Sequence, residues 1–149
     1  MQIEKFKIGR TPKPFCSLIF AFFNFKLSLV DARLREGIRL FNAGRYFNAH
    51  EALEEFYLSA AEQDKPFVEG LIQLAAALRM FHDFSETKGP ARMARQAIIR
   101  LENYQPKYLG VRVQDLIEAM ESWAGELEAN PAVARAGAPK IRLSRFIFF

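Results

Sequence analysis

The sequence predicts an all-α fold: a compact bundle of about five helices, paired as antiparallel hairpins, with no sheet. Three observations carry this expectation. Apolar residues recur at spacings of three and four in successive stretches. Short Gly, Pro or polar breaks separate those stretches. No segment alternates with period two over strand length between turn signals.

The first helix is read from near Leu27, through Val30, Leu34, Ile38 and Phe41, to Gly44, a residue suited to the left-handed turn after a helix. The second runs from about Tyr46 to Ala61, with Tyr46, Phe47, Leu53, Phe56, Tyr57 and Ala60 on its apolar side. After the polar break Gln63-Asp64-Lys65, Pro66 fits the first turn of a third helix that continues to about Asp83. That helix is apolar almost all round, which marks it as central. A fourth, Pro90 to Tyr104, turns Ala94, Ala97, Ile98 and Leu101 inward, with Arg92, Arg95 and Arg100 on a solvated face. The fifth, Val113 to Leu127, has the cleanest periodicity, and Trp123 falls on its core side.

The 149 residues divide into a leader (1–26), a helical bundle domain (27–130) and a C-terminal tail (131–149) whose last residues, Phe146 to Phe149, are apolar. The formal charge is +4, but from Asp31 to Asn130 there are 12 Lys and Arg against 16 Asp and Glu. The basic excess therefore lies in the two ends, an arrangement that argues against a nucleic-acid partner. The basic leader precedes the apolar run Phe15 to Phe25, as in a signal peptide, yet no small-x-small cleavage site follows. The run is also shorter than the ~20 residues that cross a bilayer, so no transmembrane segment is expected. Cys16 is the single cysteine, which rules out an intrachain disulfide and a cysteine zinc site and fits a cytoplasmic protein.

The chemistry-bearing stretch is in the second helix. With Tyr46 at zero and ~100° per residue, His50 falls at ~40°, Tyr57 at ~20°, Glu54 at ~80° and Glu51 at ~140°. His50 and Glu54 are thus expected to face inward, one turn apart, where a carboxylate needs a partner. An antiparallel hairpin about residue 63 would bring Gln73 opposite Leu53 and Glu54, completing a His-Glu-Gln polar cluster with Tyr46, Tyr57 and Glu51 around it. His50 and Glu54 also make two donors for a divalent metal, with Glu51 and Glu69 as poorer third candidates. The stretch His50-Glu51-Ala52-Leu53-Glu54 resembles the zincin pattern with Glu in place of its second His. No nucleophile elbow and no glycine-rich phosphate loop occurs.

Three motifs in order resemble the prokaryotic domain-of-unknown-function family 309. They are Phe41-Asn42-x-Gly44-x-Tyr46-Phe47-x-x-His50-Glu51-x-Leu53-Glu54, Gly70-Leu71-Ile72-Gln73-x-Ala75, and Tyr104-x-Pro106-x-Tyr108-x-Gly110-x-x-Val113. The resemblance spans about Leu29 to Met120 and implies a compact helical bundle with no established activity. The sequence departs from the family pattern at Tyr57, where the family usually has Trp. It also departs after the second motif, where Arg79, Met80 and Phe81 stand and His82 is displaced from a family histidine.

The expected function is a non-enzymatic helical module that binds a small molecule or protein through the groove beside the second helix, without a cofactor. The alternative is a metal-dependent hydrolase or metal-binding protein using His50 and Glu54. A third reading is membrane-surface association through the leader. A homo-oligomer is compatible with each.

Overall fold

The computed structural model describes residues 30–145. The leader up to Leu29 and the apolar end Phe146 to Phe149 lie outside the described residues. Six α-helices and one small hairpin make up the described chain: α1 (Ala32–Asn42), α2 (Tyr46–Ser59), α3 (Lys65–Phe84), α4 (Lys88–Leu101), β1 (Lys107–Tyr108), β2 (Val111–Arg112), α5 (Val113–Ala129) and α6 (Pro131–Ala136). A single turn of 3-10 helix, Glu102–Tyr104, follows α4.

Helix α1 begins later than its apolar pattern suggested. The Asp31 carboxylate accepts a hydrogen bond from the Arg33 N–H at 2.9 Å and caps the helix there, leaving Val30 outside it. Its end is as expected: Gly44 has φ +78°, and the Arg45 N–H reaches the Leu40 carbonyl at 3.0 Å. Helix α3 is the centre of the molecule. Phe67, Leu71, Leu74, Leu78 and Phe81 are buried, and α2 and α4 pack along its flanks. Burying each such side chain contributes ~1.5–3 kcal/mol, and their spread around the axis requires cover on several sides. Helix α5 packs on α4 and buries Trp123, whose indole N–H donates to the Ala134 carbonyl of α6 at 3.2 Å.

Two expectations are corrected here. The fold is mostly helical but contains a sheet: β1 and β2 pair antiparallel, Lys107 with Arg112 and Tyr108 with Val111. Each strand has two residues, too few to display an alternation. The turn between them has φ +46° at Leu109 and φ +80° at Gly110, the left-handed pair that suits a two-residue hairpin. The second correction concerns the stretch after Asn130, read from sequence as a tail. It packs as α6 and then as an extended segment beside β2. Leu143 bridges Val111 antiparallel, the Arg112 N–H donates to the Arg142 carbonyl at 2.9 Å, and the Ser144 N–H donates to the Gly110 carbonyl at 2.8 Å.

Asn42 holds that segment to the end of α1. Its amide donates to the Ile141 carbonyl and its side-chain oxygen accepts from the Ile141 N–H, both at 2.8 Å, while Ile141 itself is buried. Lys140 adds a bond to the Asn42 carbonyl at 2.7 Å. Replacing Asn42 by Ala leaves two backbone groups of Ile141 without partners. The expected loss is about 1–3 kcal/mol in urea unfolding, with faster proteolysis after residue 137. An unchanged midpoint and cleavage rate would show that the clamp contributes nothing.

Candidate functional site

The sequence-predicted residues lie along the seam between α2 and α3. Two contacts set its register. The Arg79 guanidinium stacks 4.3 Å from the centroid of the Phe47 ring, and the Tyr57 hydroxyl donates to Glu69 at 2.9 Å. Each step forward on α2 is matched by one step back on α3. This register sets Gln73 at the level of Leu53 and Ala76 at the level of His50 along the two helices.

His50 and Glu54 do not both face inward. The His50 Nδ1 lies 3.7 Å from the Glu54 carboxylate, an ion-pair separation rather than a hydrogen bond, with side-chain exposures of 27% and 58%. Glu51 is exposed as well. The reason is a rotation of the buried face. Tyr46, Ala49, Leu53 and Phe56 are buried, an arc centred at ~320° when Tyr46 is zero. The expected face included Phe47 and Tyr57, and so was turned too far toward His50 and Glu54. Phe47 is 42% exposed, its ring covered on one side by Arg79, and Tyr57 is half-buried.

Gln73 is half-buried. Its side-chain oxygen is fully shielded and has no hydrogen-bond partner among the described residues. No hydrogen bond among those residues joins it to His50 or Glu54, so the seam holds a His50–Glu54 contact and an unsatisfied acceptor rather than a closed network. Tyr46 has gone to the core. Its ring meets Phe41 edge-on at 5.3 Å and lies against His82 at 5.1 Å, and burial raises its phenol above the usual range.

At the far end of the seam Tyr57 bonds to Glu69, which also takes the Arg100 guanidinium from α4. The Lys65 ammonium lies 5.5 Å from the Tyr57 ring centroid. The Glu69 bond, with burial second, pushes the Tyr57 phenol upward. Arg100 is exposed, as expected for a solvated face, and is paired there. Its role required the α3–α4 register, which no local pattern reveals. Arg95 is likewise paired, with Glu128 of α5 at 3.1 Å.

The tyrosines of the third sequence motif pack against α3. Tyr104 and Tyr108 meet Phe67 at 5.4 and 5.0 Å, and the Tyr108 hydroxyl donates to Asp64. Burial first, then that carboxylate, pushes the Tyr108 phenol up to about 12. Among the described residues, no three His, Cys, Asp or Glu side chains come close enough to hold a metal ion. His50 and Glu54 therefore remain a two-donor pair, and His82 sits beside Tyr46 rather than His50.

Fold and seam together define a small helical-bundle protein with a half-open His50–Glu54 edge on its second helix. Residues 34–100 match the model of a domain of unknown function (DUF309), and this stretch carries the first two motifs. Over 100 residues the chain is 31% identical to an uncharacterized protein of Aquifex aeolicus (strain VF5), an alignment covering 66% of this chain and 30% of that protein. No helix among the described residues is long and apolar enough to cross a membrane.

His82 gives the site region a pH dependence. Burial, reinforced by the Arg135 charge and opposed by Asp83, holds its imidazole below the usual histidine range, and its Nε2 is shielded without a partner among the described residues. The fold thus accepts the neutral ring and resists the proton. The resulting stability is present above the unfolded value of ~6.5 and is lost as pH falls through the lower folded value. Wild type is expected to lose more Tm than His82→Gln between about pH 7.5 and about pH 5.5. Equal losses in the two proteins would contradict this reading.

Proposed function

We propose that the chain is a non-enzymatic helical module that binds a small molecule or a peptide segment along the α2–α3 seam, acting in the cytoplasm. The observation that carries the proposal is the shielded, unpartnered oxygen of Gln73 opposite the half-open His50–Glu54 edge. A buried acceptor left unsatisfied costs ~1–3 kcal/mol. Such a group calls for an explanation, and the one adopted here is a donor supplied by a ligand. The ligand class this favours carries an N–H or O–H for Gln73 and a polar group for the His50–Glu54 pair, with Phe47 and Arg79 offering a flat contact at one end.

The competing metal-dependent reading has two protein donors in the seam, where a catalytic zinc site uses three. No observation raises it above the binding module.

The test separates binding from stability. His50→Ala and Glu54→Ala are expected to change the urea-unfolding free energy by less than ~1 kcal/mol, because both positions are partly solvated. Gln73→Leu is expected to hold or raise stability, because it removes an unsatisfied buried acceptor. A polar-fragment library screened by amide chemical shifts should perturb His50, Glu54 and Gln73 in the wild type and lose those hits in the variants. Losses of several kcal/mol in all three variants, or fragment hits confined to other surfaces, would make the cluster structural.

A further inference from the structure

The hairpin and the C-terminal segment bring together cations that are far apart in sequence. Lys107 pairs with Arg112 across β1 and β2. The antiparallel bridge of Val111 with Leu143, and the bond from the Arg112 N–H to the Arg142 carbonyl, place Arg142 opposite Arg112 on the other side. Lys107, Arg112 and Arg142 thus occupy one cross-strand row on one face. With neighbouring strands ~4.8 Å apart, the row is ~10 Å long.

Like charges directly opposite one another across strands are destabilising, so this row opposes the pairing that creates it. One carboxylate answers it: Asp115 meets Arg112 at 2.8 Å. Among the described residues Lys107, Arg142 and Arg145 make no salt bridge. The row lines an open groove of about 460 Å³ whose walls are Lys107, Arg112, Arg142, Leu143, Ser144 and Arg145, with no carboxylate among them. A second cavity of about 200 Å³ shares Lys107, Ser144 and Arg145 with it and extends the space to Tyr108. The larger volume is in the range of small-ligand sites, ~300–1,000 Å³.

We propose that this groove binds a small ligand through a chain of two or more linked phosphates, laid along the Lys107–Arg112–Arg142 row. Three features select this class. A linear row of cations matches a linear anion better than a single phosphate, which could engage only one or two of them. Arg supplies planar, bidentate donors to phosphate oxygens, and two of the row's three members are Arg. The groove's volume, about 460 Å³, suits a ligand of nucleotide size. The site lies on the hairpin, apart from the α2–α3 seam, and stands or falls independently of it.

The test is calorimetric titration of the full chain at moderate salt with orthophosphate, tripolyphosphate and ATP as probes. Tripolyphosphate is expected to bind at least about tenfold more tightly than orthophosphate, and Arg142→Gln to weaken it about tenfold. Arg92→Gln, an exposed arginine of α4, is the charge-matched control and is expected to leave binding unchanged. Because Arg142→Gln relieves like-charge repulsion, its Tm should equal or exceed that of wild type. ATP binding more tightly than tripolyphosphate would mean a nucleotide ligand; equal binding would mean that the phosphate chain alone is recognised. Absence of tripolyphosphate and ATP binding would overturn the proposal, as would equal weakening by Arg142→Gln and Arg92→Gln. Binding of a single-stranded RNA oligomer without tripolyphosphate binding would also overturn it.

Discussion

A helix that is apolar almost all round has little surface to give to water, and α3 is such a helix, half-open along the stripe of Glu69, Gln73 and Arg79. Its burial dictates where everything else goes. Helices α2 and α4 must lie along its flanks, and short connections make both neighbours antiparallel to it. The same burial sets the register between α2 and α3, expressed in the contacts of Phe47 with Arg79 and Tyr57 with Glu69. The position of His50, Glu54 and Gln73 follows from that register rather than from any attraction among the three. The seam is therefore the edge of a core contact, with its polar groups placed where the apolar face of α2 runs out.

Much of this was legible in the amino-acid order. The apolar period named α3 as central, Pro66 and Gly44 marked their turns, and Trp123 fell in the core. Hairpin geometry put Gln73 near the level of Leu53, and the Phe47–Arg79 and Tyr57–Glu69 contacts fit the same register. The error lay in the rotation of α2. Its apolar residues span more of the wheel than its buried ones, because aromatic rings at Phe47 and Tyr57 can sit at a half-open edge and still cover neighbouring surface. A period identifies an amphipathic helix but leaves the centre of its buried arc uncertain by a few tens of degrees. For Glu54 that difference separates an inward carboxylate from one in water.

The hairpin and the docked C-terminal segment were not legible, for a different physical reason. Strands of two residues carry no alternation, and the pairing of Val111 with Leu143 joins positions that no local pattern links. Asn42 stood in a recognisable motif, yet its partner Ile141 is 99 positions away. The charge distribution along the chain hides the same kind of long-range pairing. Counted along the chain, Arg142 and Arg145 belong to a basic end, whereas the fold sets them beside Lys107 and Arg112. One available signal was the pair Leu109-Gly110 between short β-compatible stretches, which fits a two-residue hairpin.

The central claim is that α3 is the structural wall on which the seam is built. Native-state amide hydrogen exchange tests it most directly. The account predicts that amides between Leu71 and Leu78 are the slowest in the protein and exchange only through global unfolding, at the free energy obtained from denaturant titration. Exchange of those amides at a free energy well below the global value, with slower amides in α5 instead, would contradict it.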